Sequence, residues 1–332
     1  MNCSAFHDYA QSFAAAACFA LLCIVPAQAD TASKDLALKN VALKDAAGRT
    51  VDVNDASRIV SVGGAVTEIL YALGKEKNIV GLDTTSLYPP RAAAEKPSVG
   101  YMRQLSAEGV LGLKPSVIIA IEGAGPKETL SVLEAAGVPM VIVPDSYTGS
   151  GIVEKIQTIA LATGAKERGE CIAARVRADL ATLEKLETGI AKPKRVMFVL
   201  SFVSGKAMVS GAKTAADGII RMAGAENAIT AYDGYKQLSD EAIIAARPDV
   251  VMTLERGGPG GTVTSDAVFA HPAFAATPAA ANRAFLPMEG LYSLGFGPRS
   301  AQAARDLAIS LYPELKAASP QTNTASATAC AE

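Results

Sequence analysis

The chain has 332 residues, half of them apolar, with 31 Lys and Arg against 33 Asp and Glu and a net charge of −2. So even a balance gives no reason to expect nucleic acid or an anionic membrane surface as partner. Five cysteines without metal-ligand spacing and only two histidines, His7 and His271, leave zinc chemistry and Ser-His-Asp catalysis short of parts, so an enzyme is not expected.

In chain order, Phe13 to Pro26 is an apolar run too short to span a bilayer, followed by Ala27-Gln28-Ala29. This predicts a secretory signal over residues 1–29, cleaved after Ala29, and a periplasmic product that is not membrane-embedded. The segment before the run lacks Lys and Arg, which is atypical. Cys3, Cys18 and Cys23 leave with the signal. Cys171 and Cys330 remain, and that count predicts no disulfide framework. Residues 30–55 contain alternating apolar positions around an Ala-Gly turn, the pattern of a hairpin.

From Arg58 onward strand and helix alternate. The strand Ile59-Val60-Ser61-Val62 is broken by Gly63-Gly64 ahead of an apolar-faced helix, and further strands are read at Ile79 to Leu82, Val117 to Ala120 and Met140 to Val143. Helices from Ile152 to Ala162 and from Lys166 to about Leu186 come next, before Arg195 to Leu200 restarts the rhythm. The fold class that follows is α/β: two βαβ lobes with central, mostly parallel sheets, joined by a long rigid helix, with a ligand cleft between them. The boundaries are 56–150 for the N-terminal lobe, 151–192 for the linking helices and 193–316 for the C-terminal lobe. Residues 317–332, rich in Ala, Ser and Thr, read as a disordered tail. The glycine-rich loop Arg256 to Gly261 has no assigned role.

One stretch occurs twice. Gly100-Tyr101-Met102-Arg103-Gln104-Leu105-Ser106-Ala107-Glu108 runs through Pro115 into Val117, and Gly234-Tyr235-Lys236-Gln237-Leu238-Ser239-Asp240-Glu241 runs through Pro248 into Val250. Each copy reads as loop, short Ser-capped helix and buried strand. Glu108 and Glu241 thus occupy equivalent first-turn positions. Either could simply favour the positive end of a helix dipole; a matched pair also suits a shared partner.

These residues carry a resemblance. Arg58 to Gly64 with Thr67-Glu68, Thr84-Thr85-Ser86-Leu87-Tyr88-Pro89-Pro90, Gly100-Tyr101-Met102-Arg103-Gln104 with Glu108, and Gly295-Phe296-Gly297-Pro298-Arg299 are similar to the haem-binding periplasmic proteins of bacterial haem-uptake ABC transporters. Those proteins belong to the wider cobalamin and siderophore binding class. The resemblance implies Tyr101 as axial ligand of ferric haem b and Arg103 as the partner of its phenolate. A free phenol titrates near 10, so such ligation needs ferric iron and a nearby cation. It further implies Glu108 and Glu241 as docking points on a permease dimer that works with its ATPase. A monomer is expected.

Tyr88, Met102, Tyr235 and Tyr292 are expected around the ligand, with Met208 and Met288 as further apolar wall or plain core filler. Tyr88 is the alternative ligand, though it lacks an adjacent base. His271 reads as an ordinary helix-end residue, and Leu200 to Gly205 contains no histidine, so five-coordinate iron is expected. The rival readings are a cobalamin or siderophore carrier and, against the shortage of cysteine ligands, a metallocluster oxidoreductase subunit.

Overall fold

The computed structural model describes residues 41–255, 261–318 and 330. The signal segment and all of the glycine-rich loop but Gly261 lie outside them. β1 (Val41–Lys44) and β2 (Thr50–Val53) form the expected antiparallel hairpin. Its turn is pinned by Asp45, whose carboxylate accepts from the backbone of Ala47 and Arg49 and from the Arg49 guanidinium. That guanidinium also bonds Glu134, and Ala46 N–H donates to Ile142 O at 2.8 Å, fastening the hairpin to the first lobe. The Arg49 charge and these bonds hold the Asp45 carboxyl below its usual range against the opposing effect of burial.

The first lobe follows the βαβ rule throughout. Its elements are β3 (Ile59–Val62), α1 (Gly64–Ala72), β4 (Ile79–Leu82), α2 (Pro90–Glu95), α3 (Ala107–Gly112), β5 (Val117–Ile121), α4 (Lys127–Ala135) and β6 (Met140–Val143). The sheet is wholly parallel in the order β4-β3-β5-β6. Every residue of β3 and β5 is buried, as β-branched runs covered on both faces should be.

α5 (Gly149–Ala162) and α6 (Lys166–Glu187) make the connection between lobes. α6 has 22 residues, a span of about 33 Å at 1.5 Å per residue. Ile172, Val176, Leu183 and Leu186 put one apolar stripe of it into the core.

The second lobe contains β7 (Arg195–Val203), β8 (Lys206–Ser210), α7 (Ala215–Met222), β9 (Glu226–Asn227), β10 (Tyr235–Gln237), α8 (Asp240–Ala246) and β11 (Val250–Leu254). It ends with α9 (Ser265–Phe269), α10 (Pro272–Ala275), α11 (Pro278–Ala281), β12 (Phe285–Met288), α12 (Gly290–Leu294) and α13 (Ser300–Leu311). Its sheet runs β10-β8-β7-β11-β12, with β9 also on β7. β7, β9, β11 and β12 are parallel, whereas β8 and β10 add an antiparallel edge. The second lobe is therefore less purely parallel than its strand-helix rhythm suggests. Tyr235, read as a loop residue, lies on the edge strand β10.

Of the tail read over 317–332, residues 319–329, 331 and 332 lie outside the described residues. Pro313–Ala318 form a 3-10 helix, and Cys330 is buried and disulfide-bonded to Cys171 of α6, so the tail reading does not hold at residues 317, 318 and 330. Two cysteines 159 residues apart offer no spacing signature, so counting them could not reveal the bond.

Candidate functional site

The carboxyl ends of the parallel strands converge on a cleft of about 580 Å³ between the lobes, the place and size at which open α/β sheets hold ligands. Gly63 follows β3, Thr84 and Thr85 follow β4, Ile121 ends β5, and Asp145 follows β6. The second lobe adds Leu200 of β7, Leu254 at the end of β11, and Leu291 and Leu294 of α12. Gly64 is obligatory at this seam: a Cβ there would sit 2.4 Å from Thr85 O and 2.6 Å from Leu291 Cδ1.

Tyr101 stands on this wall, 39% exposed, in the loop that leads into α3. The loop is clamped from three sides: Thr84 N–H donates to Gly100 O, Gly125 N–H to Met102 O, and Gln104 N–H to Tyr101 O, all within 2.9 Å. Gly100, at φ 93°, supplies the left-handed backbone that turns the chain there. Arg103 Nη1 donates to Tyr101 Oη at 2.7 Å. The spacing of two residues thus delivers a guanidinium onto the phenol oxygen.

Met102 and Tyr235 line the same cleft. Tyr147, which sequence reasoning missed, joins them, edge-on to Phe296 with ring centroids 5.3 Å apart. Burial, and the Asp145 carboxylate that takes its hydrogen bond, push the Tyr147 phenol well above its ordinary value. Burial likewise raises Tyr235. Tyr147 thus donates to Asp145, whereas the Tyr235 oxygen accepts from the Ala216 backbone. Asp145 is in turn paired with Lys155, whose ammonium donates to Oδ1 at 2.7 Å from a fully buried side chain. The signal for these two residues was their place, in the loop just beyond β6, where strands of this architecture present ligand contacts.

Two expected neighbours lie elsewhere. Tyr88 turns away from the cleft and stacks on the Arg299 guanidinium, 3.5 Å from ring centre to Cζ, beside a separate 470 Å³ pocket at the back. Leu87, one residue earlier, takes the cleft side. Tyr292 donates its hydroxyl to Asp306 at 2.7 Å. On α12 it sits about 100° from Leu291, which with Leu294 faces the cleft. The wall includes Met102 but neither Met208 nor Met288.

His271 begins α10, edge-on to Phe202 and Phe274, and lies outside the cleft as its helix-end reading implies. Among the described residues no cluster of His, Cys, Asp and Glu could hold a metal ion. Glu108 and Glu241 are both exposed in first turns. Ser106 Oγ accepts from Gly109 N–H at 3.2 Å, and Ser239 Oγ from Ala242 N–H at 3.3 Å, so the two copies share one capping geometry.

Comparison with known proteins adds context to this geometry. The profile of the periplasmic binding protein family matches residues 59–288. The solved structure of the periplasmic heme-binding protein RhuT from Roseiflexus sp. RS-1 superposes with a TM-score of 0.73 at 40% identity, covering 79% of this chain and all of that one. An ABC transporter substrate-binding lipoprotein of Bacillus subtilis is 26% identical over 274 residues, 81% of this chain and 85% of its own. A vitamin B12-binding protein of Yersinia pestis is 25% identical over 204 residues, 61% of this chain and 71% of its own.

Proposed function

The chain belongs to the periplasmic binding protein family, and from that premise we propose that it carries ferric haem b to an inner-membrane ABC importer. The observation that supports this most is the Arg103–Tyr101 hydrogen bond on the cleft wall. An anionic phenolate oxygen is a hard ligand suited to ferric iron, and a guanidinium donating to it stabilises the negative charge that ligation requires. Tyr101 is the cleft phenol that receives a guanidinium hydrogen bond on its oxygen, which makes it the one best fitted to ligate. With His271 outside the cleft, the iron is read as five-coordinate.

The remaining contacts are apolar. Leu87, Met102, Ile121, Leu200, Leu254 and Leu291 offer two faces between which a flat macrocycle can lie. The protein binds and releases without turnover, and acts as a monomer. The Cys171–Cys330 bond suits an oxidising compartment, in line with a periplasmic site and a signal cleaved after Ala29.

The test is an optical titration of the mature protein with ferric haem beside Tyr101→Phe. We expect a saturable Soret shift with a phenolate-to-iron charge-transfer band, and loss of that band with at least a tenfold weaker Kd in the variant. A saturable shift that survives the mutation unchanged would refute Tyr101 as ligand. The second reading, a cobalamin carrier, is favoured by the likeness to the vitamin B12-binding protein, and would be adopted if haem gave no saturable shift while cobalamin bound.

Delivery rests on the matched glutamates. Glu108→Ala combined with Glu241→Ala should leave haem binding within twofold of wild type, because both side chains are exposed and neither lines the cleft. Haem-dependent growth through the importer should be lost. Growth at the wild-type rate would dismiss the docking role.

A further inference from the structure

The cleft wall carries three charged side chains: Arg103, Asp145 and Lys213. Two are already engaged by the protein. Arg103 donates to the Tyr101 oxygen, and Asp145 is neutralised by buried Lys155. Lys213 differs, since it belongs to the other lobe and its ammonium pairs with Asp233, at 2.8 Å, in a pair whose side chains are 80% and 60% exposed.

The position of Lys213 is built. It lies between β8 and α7 with φ 56°, a left-handed conformation that a non-glycine residue adopts at a cost. Three backbone bonds tie this loop to the one before β10: Gly211 N–H to Gly234 O, Ala212 N–H to Tyr232 O and Gly234 N–H to Ala212 O, at 2.7 to 3.0 Å. Lys213 N–H also donates to Asp217 Oδ2 at 3.2 Å. The main chain thus fixes where the lysine leaves the second lobe, beside Tyr235 on the cleft wall.

We propose that Lys213 is the carboxylate anchor of the bound macrocycle, taking a propionate across the cleft from Tyr101. The inference rests on the haem reading and deepens it. Haem b is apolar on most of its edge and carries both carboxylates on one side. The aliphatic wall suits the first part, and Lys213 is the cleft cation that is not spent on another protein group inside the cleft. Its exchange of Asp233 for a ligand carboxylate costs little, because an exposed ion pair contributes almost nothing that solvent does not replace. Orientation follows: iron on the first lobe, carboxylates on the second. Neutral macrocycles would be discriminated against.

The experiment compares ferric haem with its dimethyl ester, which keeps the iron and the ring but has no carboxylates. Wild type should bind haem about tenfold more tightly than the ester, the size of one charge-assisted hydrogen bond. Lys213→Gln should reduce that preference to about twofold or less while leaving ester affinity and the charge-transfer band unchanged. Lys213→Arg should keep the preference, and Asp233→Asn should leave both haem and ester binding within about twofold of wild type. Lys213→Gln retaining the full preference, or wild type binding both forms equally, would overturn the anchor and leave the haem reading intact. Saturable binding of neither form would overturn both.

Discussion

Glu68→Ala should destabilise the folded protein by about 3 kcal/mol, the low end of the range for breaking a buried ion pair, because Arg299 keeps part of its side chain in solvent. Glu68 lies on α1 of the first lobe and Arg299 just before α13 of the second, 231 residues later, and they meet in a bidentate pair at 2.9 and 3.0 Å. The carboxylate side chain is 5% exposed and the guanidinium 25%. Tyr88 covers the guanidinium at 3.5 Å and Tyr292 at 5.2 Å. Gly297 leaves room for the pair, since a Cβ there would stand 3.3 Å from the Glu68 carboxyl carbon. Removing the carboxylate leaves a largely buried positive charge beside two rings without its anionic partner.

The pair also has a positioning consequence. Arg299 ends the segment that supplies Leu291 and Leu294 to the cleft, and Tyr88 ends the loop that supplies Thr84, Thr85 and Leu87. Locking these two segments together at the back holds the two walls in register at the front. The denaturant midpoint of Glu68→Ala measures the stability loss, with Glu68→Gln expected to lose less. The haem dissociation rate of the same variants should rise, since the seam beneath the ligand is loosened. A midpoint equal to that of wild type would show that the pair does not tie the lobes.

The regular architecture was legible because burial and period agree. Parallel strands covered on both faces read as unbroken β-branched runs, and α6 announced itself by an apolar stripe with charges elsewhere. The Tyr101–Arg103 pair was legible because two residues of one loop are enough to make it. What failed depends on long-range placement. Tyr88 directly follows the cleft residue Leu87 and Tyr292 lies between the cleft residues Leu291 and Leu294, and only the facing of each side chain, set by a stack on Arg299 and a bond to Asp306, takes them out of the cleft. Lys213, Asp145 and Tyr147 had no local signature, because what joins them is strand order. The edge strands β8 and β10 were hidden for a similar reason: β10 has three residues, all exposed, and so no buried face to leave a pattern.

Cys330→Ser should cost more than any single side chain at the surface. The bond to Cys171 closes a loop of 159 residues, and the chain-entropy treatment gives about 5 kcal/mol for a loop of that size, an upper value because the reduced chain retains structure when unfolded. Cys330 is 6% exposed, packs in the same core as α6, and lines the back pocket with Tyr88 and Arg299. The bond therefore fastens the end of the chain beside the Glu68–Arg299 pair, on the connector that holds the lobes together. A reductant should lower the denaturation midpoint of the wild-type protein to that of Cys330→Ser and leave the variant unmoved. The haem spectrum should be the same in both, because Tyr101 and Arg103 line a different cavity. An unchanged wild-type midpoint under reduction would mean that the sulfurs are not bonded in solution. A spectrum that shifts with the midpoint would mean that the connector, and not only the cleft wall, sets the ligand geometry.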